Sequence, residues 1–247
     1  MDFKDKSVLI INGDSGLGYE ISAMFARGGA NLTISYNRNS RMVSKYVRKI
    51  KTEEQAILCY DNLVNNYSSV KGLIRYVESR FHGVDILIFI ARPKKLNSLE
   101  SIDIDRWRDD IYDDLTLLYY CTKEISKIMV SRKAGKIIPV FFGVGARGDG
   151  NMLSWSASTG GITGFIKCLA MEFLRYRINV NGVAYGLIDE VAFPFMARRV
   201  LKQYLQVLRV PRTGKARDIV NAVRFLASNE SDYITGHILY VNGGLLM

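Results

Sequence analysis

The chain has 247 residues, 48% of them apolar, and carries a formal net charge of +10. That is enough chain to bury the core of one α/β-sized domain, expected to span residues 1–247. The longest strongly apolar stretch, residues 86–91, is far too short to cross a bilayer, and the opening Met1-Asp2-Phe3-Lys4-Asp5-Lys6 carries no signal-peptide pattern, so a cytoplasmic setting is expected.

In chain order, strand-like apolar runs at 8–11, 31–36, 56–60, 86–91, 136–142, 179–184 and 238–241 alternate with helical spacing at 19–27, 43–49, 69–80, 106–130, 156–174 and 218–227. Alternating β and α elements imply right-handed crossovers, hence a doubly wound, Rossmann-like parallel sheet. The continuous run 86–91 suits a strand buried on both faces of such a sheet. No Pro- or Ser-rich linker, repeat or low-complexity stretch interrupts the pattern.

The first strand runs into Asn12-Gly13-Asp14-Ser15-Gly16-Leu17-Gly18 before the first helix. Glycines in such a turn let the backbone approach a pyrophosphate at the helix N-terminus. They serve equally well to close a strand onto a helix. Gly13 and Gly16 are separated by only two residues, and Asp14 adds a negative charge where phosphate would sit.

Cys59, Cys121 and Cys168 are widely spaced, with neither a CxxC pair nor a metal-like cluster, so no metal is expected. Basic residues concentrate at Arg198, Arg199, Lys202, Arg209, Arg212, Lys215 and Arg217. They would attract nucleotide or coenzyme A phosphates, an acidic partner or nucleic acid; a solvated surface explains them as well. No nucleic-acid-binding motif accompanies the charge, so nucleic acid is supported by charge alone.

The segment 225–244, ending Tyr233-Ile234-Thr235-Gly236-His237-Ile238-Leu239-Tyr240-Val241-Asn242-Gly243-Gly244, resembles the C-terminal signature of the short-chain dehydrogenase/reductase family. Gly135-Lys136-Ile137-Ile138, Asp85-Ile86-Leu87-Ile88 and Ile178-Asn179-Val180-Asn181-Gly182-Val183-Ala184 match it too, and the resemblance, closest to the acyl reductase branch, runs from Lys6 to the end.

The resemblance implies NAD(P) held by the first turn through Gly13, Gly16 and Gly18. Arg38, after the second strand, takes the place of a basic residue of NADP-preferring relatives, and Asp61 that of an adenine contact. Arg38 could instead be one more surface charge, and Asp61 a helix cap. The Asn-Asn-Ala-Gly expected after the fourth strand is Phe89-Ile90-Ala91-Arg92. The Pro-Gly near the nicotinamide reads Tyr185-Gly186, and Glu190 matches a threonine beyond it.

The family's chemistry needs a tyrosine to exchange the substrate proton, a lysine four residues on to lower its pKa, a serine for the substrate oxygen and an asparagine in the relay. The matching positions here are Trp155, Thr159, Phe142 and Asp114, and no Tyr, Lys or His occurs in residues 137–166. An indole N–H does not titrate in water and threonine carries no charge. No side chain of the pocket is therefore expected to shuttle a proton, and no dinucleotide is expected to bind productively. Phe142, Trp155, Phe89 and Ile90 are expected to fill the cleft, the rival being an aromatic-lined pocket for another ligand. Two other Tyr-x-x-x-Lys matches, Tyr67 with Lys71 and Tyr119 with Lys123, read as coincidences of helical spacing.

These losses imply a non-catalytic subunit beside an active paralogous subunit that binds NAD(P), similar to the two-subunit short-chain dehydrogenases of acyl-CoA metabolism, those of anaerobic toluene degradation among them. The expected assembly is a heterotetramer, since an isologous surface shared by paralogues pairs unlike chains as readily as like ones. Alternatives are an active NADP(H)-dependent oxidoreductase with displaced acid–base groups, using Asp114 or Asp149, and an anion- or nucleic-acid-binding regulator.

Overall fold

The computed structural model describes residues 3–36, 40–50, 56–60, 64–189, 202, 205–206, 208–210 and 212–245. Eight strands form one sheet: β1 (Ser7–Ile11), β2 (Asn31–Ser35), β3 (Ile57–Tyr60), β4 (Ile86–Ile90), β5 (Gly135–Phe142), β6 (Ile178–Val180), β7 (Gly182–Tyr185) and β8 (Ile238–Val241). The order is β3-β2-β1-β4-β5-β7-β8, with β6 paired to β5, and every pairing is parallel.

Seven α-helices pack around the sheet among the described residues: α1 (Gly16–Arg27), α2 (Ser40–Ile50), α3 (Tyr67–Phe81), α4 (Ile104–Ile111), α5 (Leu117–Arg132), α6 (Leu153–Phe173) and α7 (Ala216–Ala227). Two buried clusters follow from the period-2 alternation of strand side chains. Val8, Ile10, Ile86 and Ile88 face one core with Ile21, Phe25, Ile219 and Val223; Leu9, Ile11, Leu87 and Phe89 face the other with Leu73, Ile125 and Ile162. Parallel strands covered on both faces have no polar side to alternate.

Two expected elements are divided. The strand expected at 179–184 breaks at Asn181, whose amide donates to the Ile234 carbonyl at 2.8 Å while its side-chain oxygen accepts the His237 N–H at 3.0 Å. The side chain thus takes up backbone groups of the loop leading to β8. The helix expected at 106–130 is interrupted by a π turn, Tyr112–Thr116, between α4 and α5. Such a turn holds an extra residue and is often found where a side chain must be re-aimed; here it carries Asp114, which is fully buried.

The topology locates the functional end. After β1 the chain builds outward to β3, then crosses back to place β4 against the other side of β1. Ligands of such sheets bind outside the carboxyl ends of the strands where the order reverses. In this chain that place lies between the ends of β1 and β4, over Ile11–Asn12 and Ile90–Arg92. No helix among the described residues is long and apolar enough to cross a membrane.

Candidate functional site

At the end of β1, Asn12 adopts a left-handed backbone conformation (φ 59°), and its side-chain amide donates to the Ile90 carbonyl at 2.9 Å. The turn is thereby tied to the end of β4. Gly16 opens α1, which Ser15 caps by accepting the Gly18 N–H at 3.0 Å. A Cβ on Gly13 would lie 2.5 Å from Ile34 Cγ2, and one on Gly18 would lie 2.5 Å from the Gly13 carbonyl oxygen. Both glycines are thus required by the packing of strand, turn and helix, whatever the turn binds.

Across this turn lies Arg92, from the loop after β4. Its Nη2 is 3.0 Å from Asp14 Oδ1, its Nε donates to Asn12 Oδ1 at 3.2 Å, and its backbone N–H donates to Asp114 Oδ1 at 3.1 Å. The Asp14 side chain is 2% exposed and that of Arg92 16%. In this arrangement a buried Asp14–Arg92 ion pair stands at the turn where a dinucleotide's diphosphate would approach α1. The Asp14 carboxylate has the same sign of charge as a diphosphate and is offset here by the guanidinium of Arg92. Arg38, Asp61 and Glu190 lie outside the described residues, as do Arg198 and Arg199.

Two residues on, Lys94 turns inward. Its Nζ is 3.1 Å from Asp114 Oδ2 and 3.9 Å from Asp110 Oδ1, and all three side chains are almost wholly buried. Arg106 Nε lies 3.0 Å from Asp110 Oδ1. From α6, Ser154 donates to Asp110 at 2.6 Å and Ser158 to Asp114 at 2.8 Å. Two cations therefore face two carboxylates, each of which also accepts a serine hydroxyl, the kind of arrangement that makes buried charge tolerable. Burial pushes the Asp114 carboxyl above its ordinary range, while Lys94, Ser158 and the Arg92 N–H pull it back.

Beside this network Phe142 and Trp155 pack with ring centroids 4.7 Å apart and planes tilted by 34°, and Tyr185 lies 5.9 Å from Phe142. All three are buried. Thr159 is spent on the backbone, donating to the Trp155 carbonyl at 2.8 Å. The indole Nε1 of Trp155 has no acceptor among the described residues. Burial pushes the Tyr185 hydroxyl far up, with the Asp114 charge adding to the effect, so it is a poor proton donor.

Three sequence expectations need correction here. Phe89 does not fill this cleft; it points to the opposite face of the sheet and packs with Ile11 and Leu87. The filling is as much ionic as apolar. Titratable groups do reach the pocket, because Lys94 enters from the loop after β4, outside the stretch 137–166 that lacks them. Sequence reasoning passed over Lys94, Asp110 and Arg106. The usable signal was Asp110 and Asp114 at i, i+4 on a helix packed over the pocket, facing the basic Arg92 and Lys94 from the neighbouring loop.

Other candidates lie apart from these contacts. Asp149 pairs with Arg147 at 3.2 Å. The two coincidental Tyr-x-x-x-Lys pairs meet on the α3–α5 face: Lys123 Nζ lies 3.1 Å from the Tyr119 hydroxyl and 5.7 Å from the Tyr67 ring, over which Lys71 also sits at 5.1 Å. An open cleft of about 890 Å³ lies at the other end of the sheet, lined by Lys6, Lys133, Lys136 and Arg177. Lys133 and Arg177 cap helix carboxyl ends there, where positive charge is favourable without any ligand.

A family model described as enoyl-(acyl carrier protein) reductase matches residues 11–246. The chain is 30% identical over 243 residues to 3-oxoacyl-(acyl-carrier-protein) reductase FabG of Staphylococcus epidermidis, covering 98% of this chain and 100% of that protein. It is 30% identical over 249 residues to FabG of Escherichia coli K12, covering 100% of both. Among solved structures, levodione reductase superposes with a TM-score of 0.91 at 25% identity, covering 98% of each chain. A short chain dehydrogenase from Bacillus anthracis gives 0.92 at 26%, covering 98% of this chain and 97% of that one. With the parallel sheet, its order and matches over nearly the whole length, the chain belongs to the short-chain dehydrogenase/reductase family.

Proposed function

We propose that this chain is a non-catalytic subunit of a cytoplasmic, hetero-oligomeric short-chain dehydrogenase, in which an active paralogous subunit binds NAD(P) and oxidises or reduces an acyl-CoA-type hydroxy or keto substrate. The observation that carries this reading is the closely packed, buried pair Phe142–Trp155, with ring centroids 4.7 Å apart. It stands at the positions where the family resemblance puts the serine and tyrosine. Neither ring can give or take a proton at a carbonyl, and Thr159 is held by the backbone rather than poised beside a substrate.

A second reading is an active NADP(H)-dependent oxidoreductase with displaced acid–base groups. The reductases among the relatives back it better than they back an inert subunit, and the buried Lys94–Asp114 pair is a specific candidate for the displaced groups. Against it stands the depth of that pair: a substrate oxygen reaches Lys94 Nζ only if the π turn or the Arg92 loop opens.

Two measurements on the native protein separate the readings. The purified chain is assayed with NADH and NADPH against 3-oxoacyl thioesters, both as coenzyme A esters and on acyl carrier protein. Its companion chains are identified after native co-purification. The subunit reading expects no turnover alone and a paralogue carrying Tyr-x-x-x-Lys in the complex. Turnover by the pure chain would establish the second reading.

A further inference from the structure

We infer that the clasp of Arg92 on Asp14 and Asn12 keeps dinucleotides out of the crevice between β1 and β4, so that the binding surface beneath it is covered rather than lost. The inference rests on the proposed reading of this chain as one that does not use the cofactor itself.

The glycine positions that let a helix N-terminus approach a diphosphate are still held open by packing: no side chain fits at Gly13 or Gly18. α1 keeps its N-cap and has no acidic residue in its first turn. What departs from a usable anion site is added on top of this turn. Asp14 brings a negative charge, and the guanidinium of Arg92 neutralises it through contacts at 3.0 Å to Asp14 and 3.2 Å to Asn12. Asn12 is fixed in turn by its bond to the Ile90 carbonyl. Turn and strand end are thus laced together across the ligand crevice of the sheet. Charge-assisted bonds of this kind are among the stronger side-chain contacts, and a ligand that must break them binds more weakly by the fraction of time the crevice is open.

The two members of the clasp act differently on a diphosphate, which gives the test its resolving power. Removing Arg92 alone takes away the guanidinium but keeps the Asp14 carboxylate in the turn. Removing Asp14 alone deletes the repulsion and leaves a guanidinium able to turn toward phosphate. Removing both leaves the glycine turn by itself.

The experiment is NADPH binding by the full chain, followed by calorimetry and by nucleotide fluorescence. It compares the wild type, Arg92→Ala, Asp14→Ala and the double variant, after circular dichroism and urea unfolding show each to be folded. The double variant is expected to tighten NADPH binding by about tenfold or more over wild type. Asp14→Ala should gain more than Arg92→Ala, and the shortfall of Arg92→Ala should shrink as salt is raised. A folded double variant that binds no better than wild type would overturn the inference, as would wild type binding as tightly as the double variant. If every variant proves unfolded, Arg92→Lys, which keeps the charge but not the forked geometry, must by itself raise NADPH affinity, and no gain there overturns the inference too. Turnover is read on the same samples. Activity in wild type would end the subunit reading, whereas a gain in binding without turnover supports the clasp and that reading together.

Discussion

Lys94 Nζ and Asp114 Oδ2 lie 3.1 Å apart, with side-chain exposures of 2% and 0%. Neither charge has water to fall back on, so each depends on the other. Lys94→Met is expected to destabilise the fold by about 3–5 kcal/mol, the cost of leaving a buried carboxylate without its cation. Lys94→Met combined with Asp114→Leu should recover most of that loss, because Asp110 keeps Arg106 and Ser154 and no uncompensated charge remains. Urea unfolding of the two single variants and the pair gives the coupling energy directly. A single-variant loss below about 1 kcal/mol, the scale of an exposed pair, would show that the ammonium is solvated.

The aromatic half of the pocket makes a separate prediction. Phe142 is buried between Trp155 and Tyr185, so Phe142→Ala should cost about 3–5 kcal/mol as a cavity opens. Trp155→Ala should cost a similar amount. Trp155→Phe should cost much less than its lost area suggests. The indole N–H has no acceptor among the described residues, and deleting an unsatisfied donor returns part of a penalty of about 1–3 kcal/mol. A Trp155→Phe loss equal to that of Trp155→Ala would mean that the N–H is bonded after all.

Much of the fold was legible because buried parallel strands write themselves as apolar runs. β1, β4 and β8 emerge within a residue of their expected ends, since Val8-Leu9-Ile10-Ile11 has nothing polar to blur them. The breaks at Asn181 and Asp114 were not legible, because each is decided by partners far along the chain. Asn181 answers to Ile234 and His237, and Asp114 to Lys94 and Ser158. The site was half legible for the same reason. Replacement of a tyrosine by Trp155 shows in a linear comparison; the arrival of Lys94 from another loop does not. Phe89 went to the wrong core because strand alternation was not applied to it: one step along β4 reverses the face.

Thiol chemistry should sort the three cysteines by depth. Cys121 is fully buried on α5, and burial pushes its thiol up to about 12. The reactive thiolate is therefore almost absent at neutral pH. Cys168 is exposed on α6 and Cys59 is half-buried on β3. Labelling the native chain with a thiol-specific reagent is expected to modify Cys168 first and Cys59 more slowly, leaving Cys121 until the protein unfolds. Mass spectrometry of the peptides reads the order. Early modification of Cys121 would mean that the α3–α5 layer opens locally in the native state.

At the start of α7, Asp218 accepts the Lys215 backbone N–H at 2.9 Å and the Arg212 guanidinium at 2.7 Å. The Arg212 bond first, then the Lys215 N–H, holds its carboxyl below the ordinary value of 3.8. A depressed pKa means that the unfolded chain takes up the proton first as acid is added. The stabilisation is therefore fully present above the unfolded-state pKa and is lost as pH falls through the folded one. Asp218→Asn is expected to lower stability near neutral pH by about 1 kcal/mol, the scale of a charged side chain bonded at a helix N-terminus. The gap between variant and wild type should hold down to about pH 4 and narrow below it. Thermal unfolding across the acid limb measures the gap. A gap that stays constant over that range would assign the loss to packing instead of charge, because an amide and a protonated carboxyl would then differ as much as an amide and a carboxylate.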